Sequence, residues 1–229
     1  MRIITDEKKI SRNKKIGSFT TIGSLVILGI GLYMSFKPDL MNYSFGALLL
    51  GFLLSQAGIY YGSRWGRSPR PDEVISQSLK GLGDQFTLYH YSSPVPHLLV
   101  GPAGTWIIAP FYQAGTITYD ENRKRFRQKG GNFYLKLFGQ ESLGRPELEV
   151  NNYRRDLERY FERTLPAEFE KPVIDAALVF TNPKAEINVV NSPDPAVAAP
   201  KLKDYLRKKT KEKNLSVEKI KVITGALEK

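Results

Sequence analysis

Two long uncharged runs dominate the first third of the chain. Residues Gly17 to Phe36 read GSFTTIGSLVILGIGLYMSF, and Met41 to Gly62 form the second run. Each matches the roughly 20 residues that an α-helix needs to cross a hydrocarbon core about 30 Å thick. Only Lys37-Pro38-Asp39-Leu40 lies between them. The proline stops the first helix, and so short a connection forces the two to run antiparallel. The pattern predicts a transmembrane helical hairpin over residues 17–62, preceded by a basic segment, residues 1–16, and followed by a linker, residues 63–71.

The flanking charges orient the hairpin. Lys8, Lys9, Arg12, Lys14 and Lys15 precede the first run, Arg64, Arg67 and Arg70 follow the second, and the turn balances Lys37 against Asp39. Cations concentrate on the cytoplasmic side of membrane spans, so both ends are expected there, at the inner membrane of a prokaryote. Tyr60, Tyr61 and Trp65 suit the headgroup level at the exit of the second span. Ala47, Gly51, Ser55, Gly58 and Gly62 give that helix a face of small side chains, partly matched by Gly17, Thr20, Ser24, Gly31 and Ser35 on the first. Such faces permit close backbone approach, within the hairpin or between two copies of the chain. The competing readings are a cleaved signal peptide, for which Tyr33 to Lys37 offers a poor cleavage site, and a hairpin buried in a soluble core.

Beyond Ser68-Pro69-Arg70-Pro71 the pattern becomes mixed and charged, and a cytoplasmic domain over residues 72–229 is predicted. Asp72 to Gly83 reads as a helix, with Pro71 in its first turn and acids at its positive end. Phe86 to Tyr91 alternates as a strand. His97 to Val100 and Thr105 to Ala109 are nearly all apolar, as central strands are, and Gly101-Pro102-Ala103-Gly104 joins them by a tight turn. Residues 115–119 and 125–129 form a hairpin around Asp120-Glu121-Asn122. Pro146 opens a helix whose Val150, Tyr153, Leu157, Tyr160 and Phe161 share one stripe. A strand from Val173 to Phe180, a short edge strand from Glu186 to Val189, and two helices at about 201–213 and 216–227 complete the chain. This order implies an α/β fold with a mixed sheet flanked by helices.

Charge and composition narrow the chemistry. The net charge of +11 favours polyanionic neighbours, either nucleic acid or anionic lipid. With no cysteine, thiolate nucleophiles, disulfides and cysteine zinc sites are excluded, leaving carboxylates and the two histidines for any metal.

The segment Leu98-Leu99-Val100-Gly101-Pro102-Ala103-Gly104-Thr105-Trp106-Ile107-Ile108, followed by Gly115-Thr116-Ile117, resembles the core of the nuclease-related domain (NERD) family, of the restriction-endonuclease-like PD-(D/E)xK group. The resemblance covers residues from about Asp72 onward and implies a restriction-endonuclease-like fold. It further implies a divalent-metal site built from a strand acid and a Glu-x-Lys pair. Carboxylate oxygens suit hard Mg²⁺, and the lysine helps activate the attacking water. Aligned on the Gly-Pro-x-Gly turn, those positions hold Pro96, Ala109 and Phe111, and Glu73 stands at the family's helix acid. Three of the four groups lack any ligand atom, so the resemblance implies a degenerate, inactive site with no metal or other cofactor.

The remaining candidates have plain structural alternatives. Glu73 is an expected first-turn acid, Asp120 and Glu121 are ordinary turn residues, and Glu149 suits a solvated helix face. His90 and His97 read as packed strand residues. Arg123, Arg125, Arg127 and Lys129 alternate onto one strand face, with Phe126 opposite. They form either a nucleic-acid or anion-binding ribbon or a charged edge that blocks aggregation. Lys201, Lys203, Arg207, Lys208, Lys209, Lys211 and Lys213 make a basic helix that is either solvated or in contact with anionic lipid. Three functional classes follow. The expected one is a membrane-anchored, catalytically inactive nuclease-like module that binds nucleic acid or a protein. The others are an active nuclease with relocated ligands and a scaffold with no nucleic-acid role. The expected partners are the lipid bilayer, nucleic acid or a protein, and a second copy through the small-residue face.

Overall fold

The structure, a computed structural model, describes residues 1–131 and 142–228. The chain divides into two compact units: residues 6–70, and a discontinuous unit made of residues 1–5 and 71–229.

The first unit is a helical hairpin. Helix α1 spans Glu7–Ser35, with the Asp6 carboxylate capping it by accepting from Lys9 N. A short 3₁₀ turn at Pro38–Leu40 leads into α2, Met41–Tyr61, which continues as a π-helical turn through Gly66. The helices meet along a seven-residue repeat of small side chains: Gly17, Ser24 and Gly31 are buried on α1, and Ser44, Gly51 and Gly58 on α2. A Cβ built on Gly51 would lie 2.7 Å from Leu28 Cγ, and one on Gly31 3.1 Å from the Leu48 side chain, so glycine sets the approach distance. Ser44 Oγ donates to Gly31 O across the interface at 2.8 Å. Large apolar side chains point outward instead, with Phe19 74 % and Phe45 64 % exposed. Both helices are long and apolar enough to cross a membrane. Tyr60, Tyr61 and Trp65 cluster with ring centroids 5.3–6.1 Å apart, and the Arg64 guanidinium sits 4.7 Å over the Tyr60 ring.

The second unit is a mixed α/β domain. Its strands are β1 (Arg2–Thr5), β2 (Thr87–His90), β3 (His97–Gly101), β4 (Gly104–Phe111), β5 (Gly115–Asp120), β6 (Arg125–Lys129), β7 (Ile174–Phe180), β8 (Ala185–Asn188) and β9 (Ala196–Ala198). Six of them form a sheet in the order β1-β2-β3-β4-β7-β9, and the other three a smaller sheet in the order β6-β5-β8. The apolar strands β3 and β4 are central, as their composition predicts, and pair antiparallel across the turn at Pro102-Ala103. Helices α3 (Pro71–Ser78), α4 (Pro146–Thr164), α5 (Leu202–Lys213) and α6 (Val217–Leu227) cover the large sheet. Alternation along β4 divides the core. Ile107, Ala109 and Phe111 join Val150, Leu157 and Phe161 of α4 and Ile220 and Ile223 of α6. Trp106 and Ile108 join Ile75 of α3 and Leu202 and Leu206 of α5.

Two expectations need correction. Residues 1–16 are not a separate basic segment. Arg2–Thr5 is an edge strand of the domain, parallel to β2, and residues 7–16 are the opening turns of α1. The strand is held by a bidentate ion pair from Arg2 to Glu228 at 2.9 and 3.2 Å, and by Ser92 Oγ, which donates to Ile4 O. Tyr89, buried beneath, donates its hydroxyl to the same Glu228; burial and that carboxylate raise its pKa. The helix expected to reach Gly83 ends at Ser78, and Gly81, at φ +80°, takes the left-handed conformation past its end.

Candidate functional site

The positions that the family resemblance singles out fall into two places. Pro96 lies two residues before Leu98, whose partner across the ladder is Ile107, and Ala109 lies two residues beyond that partner. Pro96, Ala109 and Phe111 therefore gather at one end of the β3–β4 pair. There Ala109 and Phe111 are core residues, and the Phe111 ring stacks at 5.7 Å on Phe180, its register partner in β7. Val95 is buried in the same cluster. The environment is hydrocarbon, which offers a divalent cation no ligand. Glu73 is exposed on α3, the helix that packs on the opposite face of the sheet from Ala109 and Phe111. The fold thus keeps the fourth family position away from the other three. Among the described residues, no group of three or more histidine, aspartate or glutamate side chains is placed to hold a metal.

The other carboxylates have structural duties. Asp120 Oδ1 accepts from Arg123 N in the β5–β6 turn, and Asp120 also bridges to Arg127 at 2.8 Å. The hydrogen bond first, then the surrounding arginines, holds its carboxyl below the usual range. That contribution to stability is present above the ordinary carboxylate range and is lost as pH falls through the lowered value. Glu121 accepts from Asn191, and Glu149 from the Tyr153 hydroxyl at 2.7 Å.

The predicted cationic ribbon is shorter than its sequence suggests. Arg125, Arg127 and Lys129 alternate along β6 with Phe126 buried behind them, but Arg123 lies in the preceding turn rather than on the strand. Pairing sets Arg125 beside Asp120, Arg127 beside Thr118 and Lys129 beside Thr116, while Glu186 lies across Thr116 on β8. The face is therefore cationic at its edge and acidic further in. Strand β6 is the edge of the small sheet, and neighbouring segments engage it: Phe126 N donates to Glu147 Oε2 at 3.5 Å, and Leu143 N donates to the Gln128 side chain at Oε1. Arg125 Nε is buried with no hydrogen-bond partner.

A polar network that spacing alone does not reveal joins α3 to the sheet. His90 ends β2, His97 begins β3, and the ladder sets them opposite each other with Nδ1 to Nδ1 at 2.8 Å. His90 Nε2 lies 2.9 Å from Ser76 Oγ. Only one of the two Nδ1 atoms can hold the bridging proton, so the pair admits at most one charge in this geometry. Both rings are at least 98 % buried, and they pack as the residues of an apolar strand should. His97→Ala is expected to cost about 2–4 kcal/mol, because it opens a cavity and removes the bond to a buried nitrogen. Ser76→Ala, at a half-exposed position, should cost about 1 kcal/mol. Chemical denaturation of the full chain in detergent checks the order; equal costs would mean that the histidine pair adds nothing.

No protein-family model, curated protein or solved structure matches this chain.

Proposed function

We propose that this protein is a membrane-anchored, catalytically inactive nuclease-like module, held at the cytoplasmic face of a bilayer and binding nucleic acid through the β6 edge. One observation carries the membrane half. The hairpin packs small and hydroxyl side chains inward and exposes Phe19, Ile22, Leu25, Phe45, Leu49 and Phe52, the reverse of a water-soluble hairpin. The topology agrees. The chain leaves the domain after Thr5 and re-enters it at Pro71, so both ends of the hairpin connect to one folded unit. Two spans satisfy that, and the flanking cations favour the cytoplasmic side.

The nuclease-like half rests on the family resemblance, supported by a mixed sheet with helices on both faces and by the β3-Gly-Pro-x-Gly-β4 turn. Inactivity rests on Ala109 and Phe111 filling the core where a carboxylate and a lysine would stand. The binding role rests on Arg127 and Lys129, exposed on the β6 edge strand, with the half-exposed Arg125 on the same face.

The test uses the full chain in detergent. No cleavage of DNA or RNA is expected with Mg²⁺ or Mn²⁺. Binding at low salt is expected, and Arg125→Glu with Arg127→Glu should weaken it and reduce the slope of log K against log salt by about one per lost phosphate contact. Metal-dependent cleavage that disappears in Glu73→Ala would establish the active-nuclease alternative instead. Absence of binding at low salt would leave a protein-scaffolding role.

A further inference from the structure

We propose that the exposed stripe of α1 holds an anionic phospholipid, with the phosphate against Lys8, Arg12 and Lys15 and an acyl chain along Phe19, Ile22 and Val26. This rests on the transmembrane reading above. Positions 8, 12, 15, 19, 22 and 26 advance alternately by four and three, so they form one continuous line along the helix. All six are exposed, Phe19 at 74 %, Ile22 at 61 % and Val26 at 56 %. The opposite stripe, Ile10, Asn13, Gly17, Ser24 and Gly31, is buried. The line changes character once, between Lys15 and Phe19, from cationic to apolar. A phospholipid changes character in the same order.

The dimensions agree. A helix of 29 residues is about 43 Å long, which exceeds a hydrocarbon core of about 30 Å, so the turns before Gly17 reach the headgroup level. Arg12 and Phe19 are separated by a rise of about 10 Å, and Phe19 and Val26 by the same again. At the polar end, Glu7, Lys8, Ser11, Arg12 and Lys15 together form an open, exposed face of the helix. Three cations face one acid there, and none of the three is in an ion pair among the described residues. A zwitterionic headgroup would bring a further cation to that site, whereas an anionic one neutralises it. A free phosphate would use the cationic end and leave the apolar line unused. Nucleic acid has no counterpart to Phe19, Ile22 and Val26.

Native mass spectrometry of the full chain in detergent provides the test, with titration by dioleoylphosphatidylglycerol, dioleoylphosphatidylcholine and glycerol phosphate. Each lysine or arginine near an anionic surface contributes about fivefold. Phosphatidylglycerol should therefore bind about 100-fold more tightly to the native chain than to the Lys8→Gln, Arg12→Gln, Lys15→Gln variant. A control carrying Arg159→Gln, Lys184→Gln and Lys221→Gln, which removes equal charge from exposed positions of the α/β unit, should bind like the native chain. Phe19→Ser with Ile22→Ser should weaken both phospholipids. Equal affinity for the two lipids, or a preference that survives the α1 variant, overturns the proposal. Glycerol phosphate binding as tightly as phosphatidylglycerol would overturn the lipid occupant in favour of a phosphate site. If the chain is extracted from membranes by alkaline carbonate, the transmembrane reading itself fails. If it resists extraction yet shows no lipid preference, only this inference does.

Discussion

Gly115→Ala should lower the unfolding midpoint of the α/β unit by about 5–15 °C, corresponding to about 2–4 kcal/mol. Gly115 opens β5 with φ at +91°, a conformation that costs residues with a Cβ roughly 1–2 kcal/mol. A Cβ there would also lie 2.5 Å from Lys129 O and 3.1 Å from Gly130 C and Gly131 N. These are backbone atoms of the β6 end and cannot rotate away. Relief would require parting β5 from β6, and Gly115 N is also committed to Lys184 O at 3.0 Å. Gly130 separates the two costs. Its φ is +81°, but its Cβ would meet only Gly115 Cα, at 3.8 Å. Gly130→Ala should therefore carry the conformational cost alone, about 1 kcal/mol. Thermal unfolding followed by Trp106 fluorescence in a Trp65→Phe background measures both. If the two variants melt together, the clash with Lys129 is being relieved without cost and the argument fails.

The same glycine shows what kind of information the sequence holds. Gly101, Gly104 and Gly115 punctuate apolar runs, so β3, its turn and β4 are legible from local pattern alone. Strand β6 and α4 are legible for the same reason. By contrast, β1 is four residues long and finds its partner at Thr87–His90, more than eighty positions away. Nothing within reach of a local window pairs with it, and the cations that follow draw it into the basic flank of the hairpin. Strand β9, Ala196–Ala198, offers two alanines and one valine and has no strand signature at all. The candidate site divides similarly. Pro96, Ala109 and Phe111 can be recognised as lacking ligand atoms from composition, because no geometry gives a methyl group a lone pair. The separation of Glu73 from them requires knowing that α3 and α4 take opposite faces of the sheet. The histidine pair depends on register: positions 90 and 97 meet only once residues 91–96 are known to form the turn between two paired strands.

The hairpin interface was readable in kind but not in period, and its period governs the other large expected effect. Three- and four-residue spacing admits Ala47, Ser55 and Gly62 to the contact face. Ala47 and Gly62 do reach it, a Cβ on Gly31 lying 3.2 Å from Ala47 Cβ and one on Gly17 3.3 Å from Gly62 N, but the fully buried small residues recur every seventh position, Ser44, Gly51 and Gly58 against Gly17, Ser24 and Gly31. A strict seven-residue repeat keeps one seam facing the partner helix along its whole length. Within that seam Gly58 is the least replaceable. A Cβ on it would lie 2.5 Å from Thr21 Oγ1 and 3.1 Å from Thr21 N, a backbone atom. Thr21 cannot swing aside freely, since its hydroxyl donates to Gly17 O at 2.8 Å. Gly58→Leu should therefore part the helices, from the separation that small residues allow toward the roughly 10 Å of ordinary packed helices, at a cost of about 3 kcal/mol. Gly46, whose Cβ would meet nothing within 4 Å, should accept leucine without loss. The chain has no cysteine, so a nitroxide pair at Leu25→Cys and Leu53→Cys, both exposed, can report the separation by pulsed electron resonance in lipid nanodiscs. A wider, broader distance distribution for Gly58→Leu but not for Gly46→Leu is the expected outcome. If the two distributions coincide, the small-residue seam does not set how closely these helices approach.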